Sequence, residues 1–549
     1  PVRLLQTCLA RGWPALPQLC LATAGAQALE GDPATLVSPA QAGLWGAAGV
    51  VGEEYPEVAL KLVDLDPAAE PTAEPTAEPA NGHAAQAAAL AAELLAPDGE
   101  ARVALRAGRR LAQRFRRGPA PTQRAATRPW RRDAACLVTG GLGGLGLRIA
   151  RRMAEEGARH LVLLARSPLP PRETWAALDP ASADGARVAG IRAIEAAGAS
   201  VHCISADVAE EAAMRAALAA YEAEARPPVR AVVHAAGRVD SVLAHELTSQ
   251  RFDAVMAPKL AGARVLDRLF PDLDLFVAFS SIATVFRPTG MANYAAANAA
   301  LEGLVASRLA RGQTALAITW GVWPGVGMHR DLGDWGEGDL ERRGILPLEP
   351  DGAEALFGWL CRQGSSAAVL RIDGDLFAAR QRHRTDPLFA EIIAEGAGGA
   401  SDTAAALANA AGPEERRAIL EQAVRASLGA VLKMAPAEVD AEKPLGAMGL
   451  NSLMAMELRN RLERALDRPL PATLAWNHPT LRALIAYLDR EAAASAEPPA
   501  TAPQAVPGPA PSASPEAVDP LALDDLLDGL SEQSDADLVA ALRAGGGRT

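Results

Sequence analysis

The chain has 549 residues, too many for one hydrophobic core, so three or four folded units are expected. Apolar residues make up 49%, aromatics only 4%, and the net charge is -12. An acidic chain of this kind excludes nucleic acid as the main partner, and with no apolar run of membrane-spanning length and no signal peptide, the membrane is excluded as well. The five cysteines (Cys8, Cys20, Cys136, Cys203, Cys361) form no CxxC pair. That spacing argues against a disulfide frame and against a zinc site, and it suits thiols in a reducing, cytoplasmic compartment. The chain opens at Pro1 without Met and enters an amphipathic stretch at once, as a piece cut from something longer would.

In chain order, residues 1–128 alternate short apolar runs (LPQLCLAT, VALKLVDLD) with stretches of helical period. Their AEPTAEPTAEP insert, near 67–82, reads as an extended, exposed loop. Residues 129–390 alternate strands (ACLVTGG, HLVLLAR, VHCISADV, VRAVVHAAG, DLFVAFSS, TALAITW) with helical stretches. That alternation predicts an α/β fold, a doubly wound parallel sheet covered on both faces. Residues 391–412 are rich in Gly, Ala and Ser and read as a linker. Residues 413–491 read as helices, with a Pro-containing loop between the first two. Residues 492–519 are rich in Pro, Ala and Ser and predict disorder. The tail, 520–549, contains an acidic stretch that is amphipathic at helical spacing.

The first strand of the second segment ends at Thr139 and runs into Gly140-Gly141-Leu142-Gly143-Gly144-Leu145-Gly146, then a helix. Glycines let a backbone turn sharply and approach a pyrophosphate, and the helix start offers free N–H groups. The context, strand before and helix after, is what raises this motif above a lone glycine pattern. The next strand ends in Ala165-Arg166-Ser167, where an NAD-type site would carry an acid. A cation there attracts a ribose 2′-phosphate and favours NADPH. The plain alternative is a surface arginine at a strand end. Asp207 and Val208 fit an adenine contact, and His234-Ala235-Ala236-Gly237 would let the cofactor pass close to the backbone.

Ser281 ends the fifth strand, Tyr294 follows thirteen residues later, and Asn298 lies one helical turn on. Lys259 lies upstream. Reduction of a ketone by hydride needs a proton donor at the oxygen. A tyrosine, with an ordinary pKa of about 10, donates more readily beside an ammonium that favours the phenolate. Taken singly these residues have bland readings: helix filler, a strand-end cap, a solvated charge. Their combination with the glycine loop is what points to catalysis.

TGGLGGLG, HAAG, PKLAGA, FSS and YAAAN resemble the short-chain dehydrogenase superfamily, and the wider wording resembles the ketoreductase domain of modular polyketide synthases. The resemblance implies Tyr294 as acid, Ser281 as carbonyl donor, and Lys259 and Asn298 as relay partners. It implies that residues 1–128 form a degenerate Rossmann-like structural subdomain without a nucleotide loop, joined to the catalytic one by the Arg-rich stretch 102–132. WGVWPGVGM resembles the substrate lid, expected to order on binding. Two stereochemical fingerprints are incomplete: Val239-Asp240-Ser241 stands where one class has Leu-Asp-Asp, and Phe286 where the other has Trp. The missing last acid and the aromatic lean toward the second class.

Gly449-Leu450-Asn451-Ser452-Leu453-Met454 opens another helix, where a serine is commonly only a cap. The preceding amphipathic helix, the KPLGAMG loop and the closing WNHPTLRALIAYL give residues 413–491 the look of an all-α, four-helix acyl carrier protein of the polyketide type. That resemblance implies 4′-phosphopantetheine on Ser452, added by a phosphopantetheinyl transferase. Asn451 departs from the family's usual Asp and puts the efficiency of that step in doubt. The expected activity is NADPH-dependent reduction of a β-ketoacyl thioester on this carrier to a β-hydroxyacyl thioester. The expected partners are the acyl thioester and the ketosynthase and acyltransferase domains of the same synthase. A downstream synthase partner met through the tail and a solvated tail are equal alternatives. Two other readings stay open: a reductase of free small ketones with a helical interaction module, and a non-catalytic scaffold.

Overall fold

Near-continuous runs of Val, Leu, Ile and Ala, buried on both faces, form most strands of a large central sheet. In the computed structural model, the residues described are 2–10, 18–29, 37–67, 80–95, 99–118, 129–325, 340–341, 343–381, 387–396, 403, 406–407, 409–432, 434–450, 452–466, 470–471 and 474–496. The large sheet holds β5 (Ala135–Thr139), β6 (His160–Ala165), β7 (Ser200–Ser205), β8 (Val229–His234), β9 (Leu275–Ser281), β10 (Ala315–Trp320) and β12 (Ala367–Val369), while the two-residue β11 (Ile345–Leu346) lies outside it. All its pairings are parallel, in the order β12-β10-β9-β8-β5-β6-β7. The order reverses at β5, which makes the cleft between the ends of β5 and β8 the place for a ligand. The six strands expected from sequence are all present, and β12 is an addition. Its three residues are too short to show a period.

Both faces of this sheet are covered. On one, Cys136, Val138, Leu163 and Val233 pack against α4 (Gly144–Glu155), α5 (Ala183–Ala196) and the helix Pro350–Gln363. On the other, Leu137, Val162, Val232 and Phe276 pack against α6 (Glu211–Ala223), α8 (Gly262–Leu269) and α10 (Ala292–Ala310). The α7 helix (Ser249–Met256) runs into α8 through a π-turn, Ala257–Ala261. Pro258 inside this stretch has no N–H to give the helical ladder, which accounts for the break.

The first part of the chain forms a smaller sheet. Here β1 (Cys20–Ala24), β2 (Lys61–Leu65) and β3 (Arg102–Arg106) are parallel, and β4 (Arg109–Ala112) closes the edge antiparallel. The expected joining role of the Arg-rich stretch therefore needs correction. Its first part is a strand pair of this sheet, because Arg106 reaches buried Asp64 and Arg110 reaches buried Glu93. The AEPTAEPTAEP insert falls outside the described residues, and helix α3 (Ala80–Leu94) begins at its end. The two sheets are joined by the long contact of α2 (Pro39–Glu54) with α10. The contact is built from small residues. A Cβ on Gly46 would lie 2.4 Å from the Ala295 carbonyl oxygen, and one on Gly303 would lie 2.8 Å from Ala42 Cβ.

Beyond β12, Leu388 and Phe389 are buried with Phe286 and Phe377, and the helix Ala390–Gly396 adds Ile392 and Ile393 to this cluster. Packing on the large-sheet unit thus continues into the stretch read as linker. A separate helical unit follows, with helices Pro413–Leu432, Ser452–Leu466, Leu474–Asn477 and Leu481–Ala496. Its own core contains Leu420, Val424, Leu428, Leu458, Leu462, Leu481, Leu484 and Leu488. Residues 497–549, which include the acidic tail, lie outside the described residues. No helix among the described residues is long and apolar enough to cross a membrane.

Candidate active site

The glycine loop after β5 has the backbone its sequence demands. Gly140 sits at φ +66°, and a Cβ there would approach Ala235 O at 3.0 Å and Ala236 Cα at 3.2 Å. A Cβ on Gly146 would lie 2.3 Å from Gly140 O. The turn is therefore closed against the end of β8, and only glycine fits. Gly143 and Gly144 are exposed at the start of α4, no side chain caps that helix, and its first turn carries no acid. Its leading N–H groups have no acceptor within the helix and suit an anion. Gly141 is buried under the loop, and Leu145 is half-buried. Arg166 and Ser167 are exposed at the end of β6. Asp207 folds an Asx turn by accepting from Ala209 N (2.9 Å), and Val208 is buried against Gly262. Ala235, Ala236 and Gly237 are half-buried beside the loop. This donor set, with a cation where the second strand ends, fits a phosphorylated dinucleotide.

Thr139 and His234 are fully buried, and they act from behind the loop. Ala236 N donates to Thr139 Oγ1 (3.1 Å), and Thr139 Oγ1 lies 2.8 Å from His234 Nδ1. His234 Nε2 lies 2.9 Å from the Lys259 carbonyl oxygen. A carbonyl only accepts, so Nε2 carries the proton and Nδ1 accepts from the threonine. Burial holds this imidazole neutral, with its pKa pulled down to about 4. The chain of bonds links the nucleotide loop to the π-turn that carries Lys259.

Lys259 is 2% exposed. Its Nζ donates to Phe279 O (2.7 Å) and lies 5.8 Å from the centre of the Tyr294 ring. Burial pulls its pKa down to about 8, and the Glu302 carboxylate opposes that fall. Burial pushes the Tyr294 phenol up, while the nearby Ser281 and Asn298 side chains favour the phenolate. Asn298 is anchored by its Nδ2, which donates to Tyr294 O (2.8 Å). Its Oδ1 is buried and meets no donor among the described residues. Ser281 Oγ accepts weakly from Ala283 N (3.2 Å) in the short helix α9 (Ala283–Phe286), and its proton stays free to donate. Lys259, Ser281, Tyr294 and Asn298, which are far apart in sequence, are thus brought together beside the glycine loop.

One member of this group was missed in the sequence. Glu302 lies on α10 eight residues after Tyr294 and is half-buried. A single oxygen of it, Oε1, accepts from Ser280, Thr284 (3.3 Å) and Thr319 (2.9 Å). Burial pushes its carboxyl pKa up, and the three hydroxyls and Lys259 pull it back. Its signal was the i, i+4, i+8 spacing with Tyr294 and Asn298, which in an alanine-rich helix passes for a surface charge. Phe286, at the fingerprint position, is stacked on Phe389 (5.2 Å between centres), and Asp240 is held by Arg251. Trp320, Val322 and Trp323 of the lid wording are buried, and residues 326–339 are outside the described ones.

The model of the KR domain matches residues 134–325, and that of the phosphopantetheine attachment site matches residues 422–488. A solved structure, "Structure of A-type Ketoreductases from Modular Polyketide Synthase", is 32% identical. The match covers 72% of this chain and 78% of that one, with a TM-score of 0.60. The chain belongs to the ketoreductases of modular polyketide synthases. A second ketoreductase, from the first module of phoslactomycin biosynthesis in Streptomyces sp. HK803, is 33% identical with a TM-score of 0.58 over 71% of this chain and 84% of that one. The 5-methyl-1-naphthoate synthase of Streptomyces sahachiroi is 35% identical over 83% of this chain. The chain spans only 25% of that relative's length.

Family membership makes this ketoreductase an oxidoreductase that uses NADPH, and the glycine loop and Arg166 suit that cofactor. The attachment-site match makes the helical unit a carrier of covalent phosphopantetheine. Ser452 opens the helix Ser452–Leu466, preceded by Gly449 at φ +99°. Asn451 lies outside the described residues.

Proposed function

We propose that this chain reduces a β-ketoacyl thioester, held on the phosphopantetheine of its own carrier at Ser452, to the β-hydroxyacyl thioester during polyketide elongation. The observation that carries the proposal is the buried Lys259 ammonium, 5.8 Å from the Tyr294 ring and beside Ser281 and Asn298. NADPH, when bound, supplies the hydride to the carbonyl carbon. Gly143, Gly144 and the N–H groups of the first α4 turn would hold its pyrophosphate, and Arg166 with Ser167 would meet the 2′-phosphate. Asp207 and Val208 border its adenine. Ser281 Oγ donates to the carbonyl oxygen and orients it. Tyr294 gives its proton to that oxygen, and Lys259 lowers the cost of the phenolate left behind. The free Oδ1 of Asn298 receives the donor that returns a proton to the phenolate.

Tethering explains why no deep acyl pocket is required. A carrier tethered in the same chain presents its ketone at an effective concentration of order millimolar. Chain extension then belongs to ketosynthase and acyltransferase domains of the same synthase. The decisive experiment loads a β-ketoacyl arm onto Ser452 with a phosphopantetheinyl transferase. It then follows NADPH oxidation and the configuration of the alcohol together. No oxidation on the loaded carrier, with a free ketone reduced normally, would sink the proposal.

A further inference from the structure

We infer that Glu54, the last residue of α2 in the small-sheet half, is a positioning residue for the reductase site in the other half. This rests on the reading of Tyr294 as the proton donor. The Glu54 carboxylate spans the two halves. Oε1 accepts from Gly290 N (2.7 Å), and Oε2 accepts from Ala244 N (2.8 Å). Those amides belong to two loops. One follows β8 and His234; the other leads directly into α10 and Tyr294.

The loops are also tied to each other. Val242 N donates to Gly290 O (2.8 Å), and Gly290 sits at φ +80° with space for a Cβ blocked by Ser241 Oγ at 2.8 Å. Each loop sends a side chain into the hydrophobic cluster that contains Tyr294: Val239 from the first and Met291 from the second. Glu54 therefore sets the spacing of the two loops whose side chains pack in the proton donor's cluster.

The first loop is held from its other side by the same half of the molecule. Gln6 Nε2 lies within 3.0–3.2 Å of the carbonyl oxygens of Ala244, His245 and Leu247. Tyr55 OH lies 2.6 Å from His245 Nδ1. Carbonyls and N–H groups of one short segment are thus taken by side chains of helices α1 (Val2–Ala10) and α2 and by the residue after them. A carboxylate accepting from two backbone amides makes charge-assisted bonds, stronger than neutral ones and specific in direction. Glu54 touches neither reacting atom. It acts on how the carbonyl is presented to Ser281 and Tyr294, so it governs the substrate's fit and the face reduced, not the binding of NADPH.

The test uses the full chain with a small diffusible β-ketoacyl thioester, and Glu54→Gln, Glu54→Ala and Glu54→Asp variants. Glu54→Ala is expected to lower kcat/KM for the thioester by about tenfold and to erode the ratio of alcohol configurations. The KM for NADPH stays at the parent value. Glu54→Gln, the same shape with one acceptor replaced by a donor, is expected to show a smaller loss in the same direction, and it keeps the test alive should the alanine variant fold poorly. A fall in Tm with kcat/KM and alcohol ratio unchanged in both variants would overturn the inference and leave Glu54 as structural glue. Tyr294→Phe serves as the separate control. If that variant reduces the thioester as fast as the parent, the reading of the site fails, whatever the Glu54 variants do.

Discussion

The two sheets of the reductase begin alike, with a strand that leads through a turn toward a helix, and differ in what that turn meets. In the small sheet the turn after β1 has its N–H groups consumed from within. Asp64, near the end of β2, accepts from Ala26 N (2.8 Å), Gln27 N (3.0 Å) and Thr23 Oγ1 (2.8 Å), and pairs with Arg106. In the large sheet the turn after β5 is glycine-rich, its helix is uncapped, and the neighbouring strand ends in exposed Arg166 instead of a buried acid. A carboxylate inside the fold does in one half what, on the proposed reading, a pyrophosphate does in the other. The small half, its turn N–H groups already taken by Asp64, presents a face of small residues to α10 and holds the helix that carries Tyr294.

The sharpest way to break this division of labour is Tyr294→Phe. Loss of a positioned proton donor is expected to cut reduction by about 10² to 10⁴-fold, with carrier modification at Ser452 intact. NADPH oxidation on a loaded carrier and mass spectrometry of the arm check the two parts. Next in size is Asp64→Asn. It strips the charge partner from buried Arg106, a change that costs about 3–5 kcal/mol. Denaturant unfolding is expected to shift accordingly, while the KM for NADPH of the folded protein stays at the parent value. A cofactor defect in Asp64→Asn would mean that the small half is not the ligand-free one.

Most of this division was readable from residue order. Glycines at 140, 141, 143, 144 and 146 between an apolar run and a helix leave few alternatives, and Tyr294 with Asn298 shares a helical face by spacing alone. Contacts between halves were not readable. Glu54 looks like the ordinary polar end of a helix and Gln6 like an ordinary polar position within one, because their acceptors and donors are backbone groups some 190 to 240 residues away. Glu302 was hidden for a related reason: its partners are hydroxyls on two strands and a short helix, and hydroxyls mark no pattern. The Arg-rich stretch misled because charge suggests solvent, whereas Arg106 is buried by the acid it meets.

Arg166 sharpens the comparison from the cofactor side. It is an exposed cation just past the end of β6, whereas the small half keeps a buried acid, Asp64, within β2. Arg166→Ala is expected to raise the KM for NADPH by about 10 to 100-fold, the value of one hydrogen-bonded charge contact at roughly 1.5–3 kcal/mol. The KM for NADH should scarcely move, and kcat should hold. Steady-state kinetics with both cofactors reads this directly. Equal losses with NADPH and NADH would move the 2′-phosphate contact elsewhere.

The smallest effect is the pH response of Lys259, and its sign separates chemistry from folding. Burial places the ammonium's pKa at about 8, below the ordinary value of 10.5. Below pH 8 the lysine is charged and eases proton donation from Tyr294. As pH rises through about 8 that help is lost, so the rate of reduction is expected to fall by about half there. Stability moves the other way. Between about 8 and 10.5 the unfolded chain binds more protons at this residue than the folded one, so this group's contribution to stability rises with pH. In the small half, Lys61 sits against Glu93 and no catalytic group depends on it. Activity that declines above pH 8 while the melting temperature holds or climbs therefore assigns the decline to Lys259. A parallel fall of both would assign it to unfolding and remove the lysine from the mechanism.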